Sequence, residues 1–352
     1  MTRLSVTPST LEGSPSGAPL PTAGAGAPLT SRFSVDPVPP FRLDLTVWAL
    51  RRRPANIVDR WDGDAYRRAV HVGGTVAEVE VRQTGPPEAA RLDVSVTTAV
   101  PIDPAWAQAE TSATLRRLLG VDVDLGEFYR RARMDRHLDP LVVRYRGLKP
   151  PRFPTLFECL VNAIACQQLT LTVGIVLLNR LAETYGPTGP MVSGVAGHAF
   201  PDAANLASST PAGLRRLGLS SRKAESILQS ASRVTDGGLD LAGLDTLGDE
   251  TVCASLQQLG GVGRWSAEYT LLRGLGRLAV FPGDDVGARN NLARRLHLDA
   301  PLDYDSVRRA VAPWAPFAGL AYFHLLVERI DAAGWLGDVE GVAADHNRRR
   351  PP

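Results

Sequence analysis

The sequence predicts an α+β fold, in which a small antiparallel β-sheet domain is followed by a large all-α domain. Between residues 41 and 103, short runs of alternating apolar and polar residues are separated by glycine turns, as in half-buried strands. After residue 103 the apolar residues recur every three to four positions, as in amphipathic helices. The 352 residues are enough for about two domains and some tail.

Composition and cysteine content exclude several classes of protein. The chain is 44% hydrophobic and 22% charged, which is ordinary for a soluble protein. No apolar run reaches the roughly 18 residues of a membrane span, and the first residues lack the pattern of a secretion signal. We therefore expect a cytoplasmic protein with no membrane partner. The cysteines are too few for a disulfide scaffold or a four-cysteine iron–sulfur cluster: Cys159, Cys166 and Cys253.

The two ends of the chain differ in composition from the rest. Residues 1–40 contain 8 prolines and only 4 charged side chains, so we expect a disordered tail that buries too little apolar surface to fold. Residues 341–352 include three consecutive arginines and are expected to form a solvated basic tail. The net charge of +2 does not by itself indicate a nucleic-acid-binding protein.

Residues 41–103 are predicted to form the sheet domain. Alternation predicts strands over residues 41–47, 66–72, 75–82 and 92–96. Gly73 and Gly74 form the turn between the middle two strands. A short helix is predicted near residues 56–61. Nothing in this domain predicts chemistry.

Residues 104–340 are predicted to be all-α, because no strand pattern interrupts the helical spacing. The predicted helices span residues 106–119, 125–132, 138–145, 157–166, 171–185, 221–233, 249–259, 265–275, 286–296, 304–314 and 319–333.

The most informative segment is LQQLGGVGRWSAEYTLLRGLGRLAVFPGDDVGAR, residues 256–289. Gly260 to Gly263 make a tight hairpin between a helix ending near Leu259 and a second beginning near Trp265. The start of that second helix leaves amide hydrogens pointing outward, where they bind an anion such as phosphate, and Arg264 stands beside them. On spacing alone, a plain pair of packed helices without a ligand remains the alternative.

This hairpin, followed by Trp265, Tyr269 and VFPGDD ending at Asp285, resembles the helix-hairpin-helix (HhH-GPD) DNA glycosylases. Within that superfamily the chain is most similar to the 3-methyladenine DNA glycosylase II (AlkA-like) branch, over about residues 41–334. Gly260 is a departure, since the family commonly has proline there, and it should loosen the turn slightly. Further segments carry the resemblance: AIACQQLT at 163–170, GLSSRKAESI at 218–227 and WAPF at 314–317.

The resemblance implies that Asp285 is the catalytic carboxylate of a base excision repair enzyme. A glycosylase extrudes the damaged nucleotide, because the N-glycosidic bond is inaccessible within the duplex. A fixed carboxylate then stabilises positive charge on the sugar and orients or deprotonates the attacking water. Asp284 and Asp285 are both also suited to cap the helix that starts at residue 286. We expect one to cap this helix while Asp285 catalyses.

The resemblance also implies a base pocket lined by Trp265, Tyr269 and Tyr322. Trp265 and Tyr269 are four residues apart and share a helix face, a spacing that on its own is more typical of a core. A cationic alkylated purine such as 3-methyladenine gains roughly 0.5–2 kcal/mol from stacking on an electron-rich ring. His324 is a further candidate for the lining, and Leu326 stands where the AlkA-like branch often has tryptophan.

DNA contacts are expected at the hairpin and at the break between two earlier helices. The break at residues 166–170 corresponds to the family's wedge-bearing turn, and we choose Gln168 as the wedge with Leu169 second. A simple corner between helices is the alternative. Residues 261–298 hold six arginines and three acids, a modest local excess of positive charge. The remaining expected DNA-binding residues lie on the hairpin: Gly261, Gly263, Arg264 and Ser266.

Lysine content predicts a monofunctional enzyme that leaves an abasic site. Bifunctional relatives form a Schiff base through a lysine just after the hairpin glycines, where this chain has Trp265. Lys149 and Lys223, the two lysines of the sequence, lie elsewhere. We expect a monomer that acts on alkylated purines in double-stranded DNA without a cofactor. No set of side chains predicts a metal site, although the resemblance leaves open a metal ion at the hairpin carbonyls. The alternatives are a non-catalytic helix-hairpin-helix DNA-binding module, or a glycosylase for deaminated or oxidised bases.

Overall fold

Five antiparallel strands near the amino-terminal end form one sheet, in the spatial order β1-β5-β4-β3-β2. The computed structural model describes residues 28–192 and 194–337 of the chain. Gly73 and Gly74, with φ of 59° and 73°, make the turn between β3 and β4 that the sequence predicts. The five strands are β1 (Leu29–Val35), β2 (Arg60–Trp61), β3 (Ala65–Val72), β4 (Thr75–Thr84) and β5 (Arg91–Thr98).

A large helical domain follows the sheet, and the predicted α+β organisation is confirmed. Each of the eleven predicted helices is present, with ends within a few residues of the expected positions. In the described residues the helices are α1 (Leu43–Arg51), α2 (Pro104–Leu119), α3 (Gly126–Ala132), α4 (Asp139–Arg144), α5 (Leu156–Cys166), α6 (Leu171–Tyr185), α7 (Ala203–Ala207), α8 (Pro211–Arg216), α9 (Ser221–Thr235), α10 (Asp249–Gln257), α11 (Arg264–Thr270), α12 (Val286–Arg295), α13 (Tyr304–Val311) and α14 (Ala318–Ala332).

The prediction of a disordered tail over residues 1–40 is wrong for its last part. Strand β1 (Leu29–Val35) pairs with β5 along its whole length, from Leu29 opposite Thr98 to Val35 opposite Leu92. Backbone hydrogen bonds to β5 hold this edge strand, and most of its side chains are partly exposed. Because β1 is rich in polar residues, its sequence lacks the apolar alternation that predicts a strand. Residues 1–27, and the basic tail predicted at 341–352, lie outside the described residues.

The prediction of a strand over residues 41–47 is also wrong, because this segment enters helix α1. Leu43 and Val47 pack into the core of the sheet domain, whereas Leu45 and Ala49 pack into the helical domain. A helix buried on two faces produces apolar alternation that imitates a strand. Residues 56–61 do not form the predicted helix either, since they make a turn around the Asn56 side chain and then β2.

The second domain is not entirely helical. A two-stranded hairpin, β6 (Thr188–Val192) and β7 (Val195–His198), interrupts the helices after α6 and packs on the sheet domain. A Cβ atom on Gly197 would lie 2.5 Å from the guanidinium of Arg60 and 2.7 Å from the carboxylate of Glu78. The strands are short and rich in glycine, so they lack the apolar alternation that predicts a strand.

Two apolar clusters form the core of the helical domain. One surrounds α5, α6 and α9, and the other is built from α3, α4, α12, α13 and α14. Helix α5 is the central element, since it is buried from Leu156 to Ala165. Among the described residues no single helix is long and apolar enough to cross a membrane. Two consecutive helical segments, Tyr304–Trp314 and Ala318–Ala332, reach that length and composition only when they are taken together, and they are bent by 105° at the break between them.

A buried ion network joins the sheet to α5. Arg68 on β3 donates to Asp59 at 2.6 Å and to both carboxylate oxygens of Glu158 at 2.5 and 2.6 Å. The Tyr66 hydroxyl donates to the same oxygen of Asp59 at 2.8 Å. All of these side chains are buried, so the guanidinium compensates two carboxylates that water does not reach.

We predict that Arg68→Met lowers the free energy of unfolding by about 3–5 kcal/mol, because two carboxylates stay buried without their cation. Urea unfolding at neutral pH measures the loss. The matched control is Arg67→Met on the same strand, whose pairs with Asp62 and Glu80 are partly exposed and contribute at most about 1 kcal/mol. Equal losses in the two variants would contradict a special role for the buried network.

Candidate active site

A cavity of about 1050 Å³ opens between the α5–α6 corner, the α10–α11 hairpin, the start of α12 and the last helix, α14. Leu326 on α14, the residue found where the branch often has tryptophan, also lines it. Ten of the residues that the sequence predicts for the site line this one cavity: Gln168, Leu169, Gly261, Gly263, Arg264, Trp265, Ser266, Tyr269, Asp285 and Tyr322.

The glycines of the hairpin have different structural roles. Gly261 has a φ of 82°, and a Cβ atom there would lie 2.2 Å from the Ser226 hydroxyl oxygen on α9. Gly263 is the N-cap of α11 with a φ of −98°, and a Cβ atom there would meet nothing within 4 Å. Gly261 therefore fixes the turn against α9, and Gly263 leaves the start of α11 open to solvent.

Gln167 ties the α5–α6 corner to the hairpin. Its side-chain amide donates to the Gly261 carbonyl and to the Ser266 hydroxyl, both at 2.8 Å. The Ser266 side chain is thus buried and already bonded, so its hydroxyl is not presented to a phosphate. Lys223 donates to the carbonyls of Ala165 and Gln167 at 2.9 and 2.6 Å. No local sequence pattern predicts either of these contacts.

The next residues of the corner are free of such contacts and lie at the mouth of the cavity. Gln168 is exposed and has a φ of 53°, which is unusual for a residue other than glycine. Leu169 beside it keeps 42% of its surface exposed, although it is apolar. Thr170 caps α6 by accepting from the Val173 amide.

Both carboxylate oxygens of Asp285 are held. Oδ1 accepts from the Ala288 amide at 2.9 Å and caps α12. Oδ2 accepts from the Trp265 indole N–H at 3.3 Å and from the Tyr322 hydroxyl at 3.2 Å, on the cavity side. The prediction that one aspartate caps α12 while Asp285 serves only as the catalytic group is therefore wrong, because Asp285 itself caps this helix. Asp284 instead accepts from Arg264 at 2.7 Å.

Aromatic rings form one wall of the cavity. The rings of Trp265 and Tyr269 are 5.4 Å apart and inclined by 35°, with Tyr269 buried and Trp265 half-buried. Tyr322 packs edge-on against Phe281 at 5.6 Å. Burial raises the pKa of Tyr322 well above its ordinary value, and the nearby Asp285 charge adds to the effect. The Tyr322 hydroxyl therefore stays protonated and keeps donating to the carboxylate.

Arg52 is a component of the wall that sequence reasoning missed. It follows α1 with a φ of 61°, and its buried guanidinium donates to the Tyr269 hydroxyl at 3.0 Å and to Asn162 at 2.8 Å. In the sequence it belongs to an arginine run, Arg51 to Arg53, which normally indicates a solvated surface. The left-handed backbone conformation of Arg52 at the end of α1 directs its side chain into the protein interior.

The expectation that His324 lines the cavity is wrong. Its ring is fully buried, packs 5.2 Å from Phe128 and bonds to the Leu320 carbonyl through Nδ1 at 2.8 Å. Burial lowers the pKa of His324 to about 4, so it is neutral at physiological pH. Tyr322 and Leu326, which do line the cavity, are four residues apart, and residue 324 falls on the opposite face of α14.

Among residues 28–192 and 194–337, no group of three or more His, Cys, Asp or Glu side chains is placed to hold a metal ion. The polar groups that line the cavity include backbone amides, arginines and the side chains of Asp284, Asp285, Trp265, Tyr269, Tyr322, Lys223 and Cys166. The arginines around the cavity include Arg53, Arg222, Arg294 and Arg329.

We predict that Gly261→Ala lowers the free energy of unfolding by about 1–3 kcal/mol, because the new methyl group meets Ser226 at a φ that side chains rarely adopt. Gly263→Ala is the matched control and should change it by less than about 0.5 kcal/mol, because its Cβ enters open space. Urea unfolding of both variants measures the difference. Equal stability of the two variants would contradict the assignment of Gly261 as the structural glycine.

Two family models match the chain, in the order of its domains. Residues 33–154 match the AlkA N-terminal domain. Residues 161–316 match the HhH-GPD superfamily base excision DNA repair protein. The second match contains the hairpin, both aspartates and the α5–α6 corner, and the first contains Arg52.

Individual proteins show the same similarity. The chain is 28% identical over 186 residues to a Bacillus subtilis protein named putative DNA-3-methyladenine glycosylase YfjP, and it spans 60% of that relative's length. It is 30% identical over 164 residues to DNA-3-methyladenine glycosylase 1 of Schizosaccharomyces pombe, covering 46% of this chain and 67% of that one. Its fold is similar to that of 3-methyladenine DNA-glycosylase from Archaeoglobus fulgidus, with a TM-score of 0.74, 24% identity, and coverage of 86% of this chain and 98% of that one.

Proposed function

Because the chain belongs to the HhH-GPD superfamily of base excision DNA repair proteins and carries an AlkA N-terminal domain, we propose that it is a monofunctional DNA glycosylase. It removes alkylated purines, of the 3-methyladenine type, from double-stranded DNA and leaves an abasic site. The observation that carries the proposal is the Asp285 carboxylate, whose Oδ2 lies on the wall of a nucleotide-sized cavity beside Trp265 and Tyr322.

The reaction begins when the damaged nucleotide leaves the base stack and enters the cavity. Its base stacks on the rings of Trp265 and Tyr269, which places the sugar near Asp285. As the C1′–N bond breaks, its electron pair goes to the base and the sugar becomes positively charged. The negative charge of Asp285 stabilises that state without reorganising, since both of its oxygens are held. Water then adds its hydroxyl group to C1′ and its proton passes through the Asp285 carboxylate to the solvent, so a base that was cationic leaves as a neutral molecule.

The hydrogen bonds of Lys223, a lysine that lines the cavity, support a monofunctional reaction. Lys223 is bonded to two backbone carbonyls of the α5–α6 corner. Lys149 is buried, donates to the Val123 carbonyl and does not line the cavity. Since the ten predicted residues that line the cavity come from one chain, a monomer is sufficient for the reaction.

The hairpin and the arginines at the rim of the cavity bind the DNA backbone. The open start of α11 at Gly263 presents amides that suit a phosphate. Arg264 stands next to it, paired with Asp284 and lying 3.6 Å from the Tyr304 ring centroid. These contacts are to phosphates, so they position the duplex without reading its sequence.

We predict that Asp285→Asn reduces single-turnover excision of an alkylated purine by about a thousandfold or more, because the negative charge is lost. Asparagine is also a good N-cap, so α12 remains capped and the affinity for DNA stays within about threefold. Excision is measured as alkali-labile sites in a duplex that contains one lesion.

The matched control for this experiment is Asp284→Asn, which breaks a partly exposed pair with Arg264 and should leave excision within about threefold. A near-normal rate in the Asp285 variant would contradict the catalytic assignment. Strand cleavage without alkali would contradict a monofunctional reaction. DNA binding without release of any lesion from a panel of alkylated purine, hypoxanthine, uracil and oxidised guanine would identify a non-catalytic binding module.

We predict that Gln168→Ala weakens binding to duplex DNA containing an abasic site by about three- to tenfold, because the wedge no longer fills the gap left by the base. Leu169→Ala tests the second candidate in the same corner. Val173→Ala removes another exposed apolar side chain, outside the cavity lining, and should have no effect. Fluorescence anisotropy measures the affinities, and unchanged affinity in both corner variants would indicate a simple turn between helices.

A further inference from the structure

A half-buried carboxylate on α11, that of Glu268, holds the turn that precedes α12. Its Oε2 accepts from the Gly283 amide at 3.1 Å, and its Oε1 accepts from the Tyr304 hydroxyl at 2.5 Å. None of these three residues lines the cavity. Glu268 therefore bonds to the turn from within the protein and does not face an occupant of the cavity.

The turn that Glu268 holds determines where Asp285 lies. The Asp285 amide donates to the Pro282 carbonyl at 3.1 Å, and Asp285 is then the N-cap of α12. Gly283 and Asp284 are the two central residues of this turn. A shift of Gly283 would therefore move the backbone from which the Asp285 carboxylate projects.

Helix α11 contacts three successive residues of the turn. The contacts are those of Glu268 with Gly283, Arg264 with Asp284 and Trp265 with Asp285. The side chains of the Arg264–Asp284 pair are 50% and 30% exposed, so water screens their attraction. Gly283 is buried, and its amide would lose its partner without gaining water if Glu268 were removed. The Glu268 bond is therefore the harder of these two contacts to replace.

Tyr304, at the start of α13, closes the other side of the turn. A Cβ atom on Gly283 would lie 2.7 Å from Cδ2 of Tyr304, so this ring packs directly on the turn. Burial raises the pKa of Tyr304 to about 12 and the bond to Glu268 adds to the effect, so the hydroxyl stays protonated and keeps donating. The turn thus lies between Tyr304 and α11, and Tyr304 holds the carboxylate of Glu268 in place.

We propose that Glu268, held by Tyr304, is a positioning residue that fixes the turn through the Gly283 amide and so sets the position of the Asp285 carboxylate. The proposal rests on the glycosylase function and on the role of Asp285 proposed above. A displacement of about 1 Å at a reacting group costs on the order of a hundredfold in rate. Glu268 lies outside the cavity lining, so its loss affects the rate of excision and leaves the affinity for DNA in place.

The test measures the excision rate separately from the affinity for DNA. A duplex that contains one 7-methylguanine is mixed with increasing excess of the full chain, which gives a maximal single-turnover rate and the protein concentration at half of that rate. Glu268→Met keeps the length of the side chain and removes both acceptor oxygens, so it should lower the maximal rate about 30- to 100-fold. The half-maximal concentration should stay within about threefold. An unchanged maximal rate, or a loss confined to affinity, would overturn the proposal.

A conservative variant distinguishes the hydrogen bonds of Glu268 from its charge. In Glu268→Gln the side-chain oxygen can accept from Gly283 while the side-chain nitrogen donates to the Tyr304 oxygen, so both contacts are kept without the charge. The maximal rate should therefore stay within about fivefold of the wild-type rate. A loss as large as that in Glu268→Met would contradict a role that acts through these two bonds.

A variant of the second partner keeps the proposal testable if Glu268→Met does not fold. Tyr304→Phe retains the ring on Gly283 and removes the donor to Glu268. It should lower the maximal rate about three- to tenfold and leave the half-maximal concentration unchanged. An unchanged rate in this variant would overturn the proposal.

The matched control is Glu328→Met on α14. Glu328 pairs with Arg295 at 3.1 Å, is also partly exposed, and joins α14 to the end of α12 opposite Asp285. Loss of this pair should leave the maximal rate and the half-maximal concentration within about twofold of the wild-type values. A rate loss equal to that of Glu268→Met would mean that any weakened helix contact slows excision, and the proposal would fail.

The same measurements separate this proposal from the proposed function. Failure of the wild-type chain to release the base, or a near-normal rate in Asp285→Asn, overturns the function or the role of Asp285 and this inference with it. A rate that depends on Asp285 but is the same in wild type, Glu268→Met and Tyr304→Phe overturns the inference alone.

Discussion

The held carboxylate of Asp285 is the constraint on which the rest of the site depends. One oxygen caps α12 and the other meets the indole of Trp265 and the hydroxyl of Tyr322. A side chain with both oxygens bonded cannot rotate away from the cavity, so its charge stays in one place. Fixed charges stabilise a charged transition state well because they need no rearrangement during the reaction. Asp285 is thus both the N-cap of α12 and a residue of the cavity wall, and the start of α12 determines where its carboxylate points.

Distant parts of the chain assemble around that carboxylate. The α5–α6 corner reaches the hairpin through Gln167, and Lys223 holds the carbonyls at the end of α5. The sheet domain contributes as well, because Arg68 binds β3 to α5 and thereby fixes the connection from which Arg52 enters the cavity wall. The amino-terminal domain therefore contributes to the cavity wall and also supports the helices.

Much of this arrangement follows from the sequence, because the relevant patterns are local. Apolar spacing predicted eleven of the fourteen α-helices in the described residues but not α1, α7 or α8. The GGVG turn followed by VFPGDD predicted residues that surround the cavity. The family resemblance is confirmed by both domain matches. The roles assigned to Asp285, to the aromatic wall and to the wedge residues remain predictions.

Features that depend on tertiary packing could not be read from local patterns. Helix α1 alternates in polarity because it is buried on two faces, and β1 exists because β5 offers a free edge. Arg52 lies 217 positions from Tyr269 and reaches it only through a left-handed turn. No residue spacing encodes such a contact. His324 shows the converse error, since nearness in sequence to Tyr322 placed it on the wrong face of α14.

The central claim is that Asp285 stabilises positive charge at the sugar of an extruded nucleotide. The most direct measurement compares the affinity of the chain for two abasic-site analogues in one duplex: a pyrrolidine, which is cationic, and a tetrahydrofuran, which is neutral. We expect the wild-type chain to bind the pyrrolidine duplex at least about tenfold more tightly, and we expect this preference to disappear in Asp285→Asn. A preference that the variant retains, or that the wild type lacks, would contradict this claim.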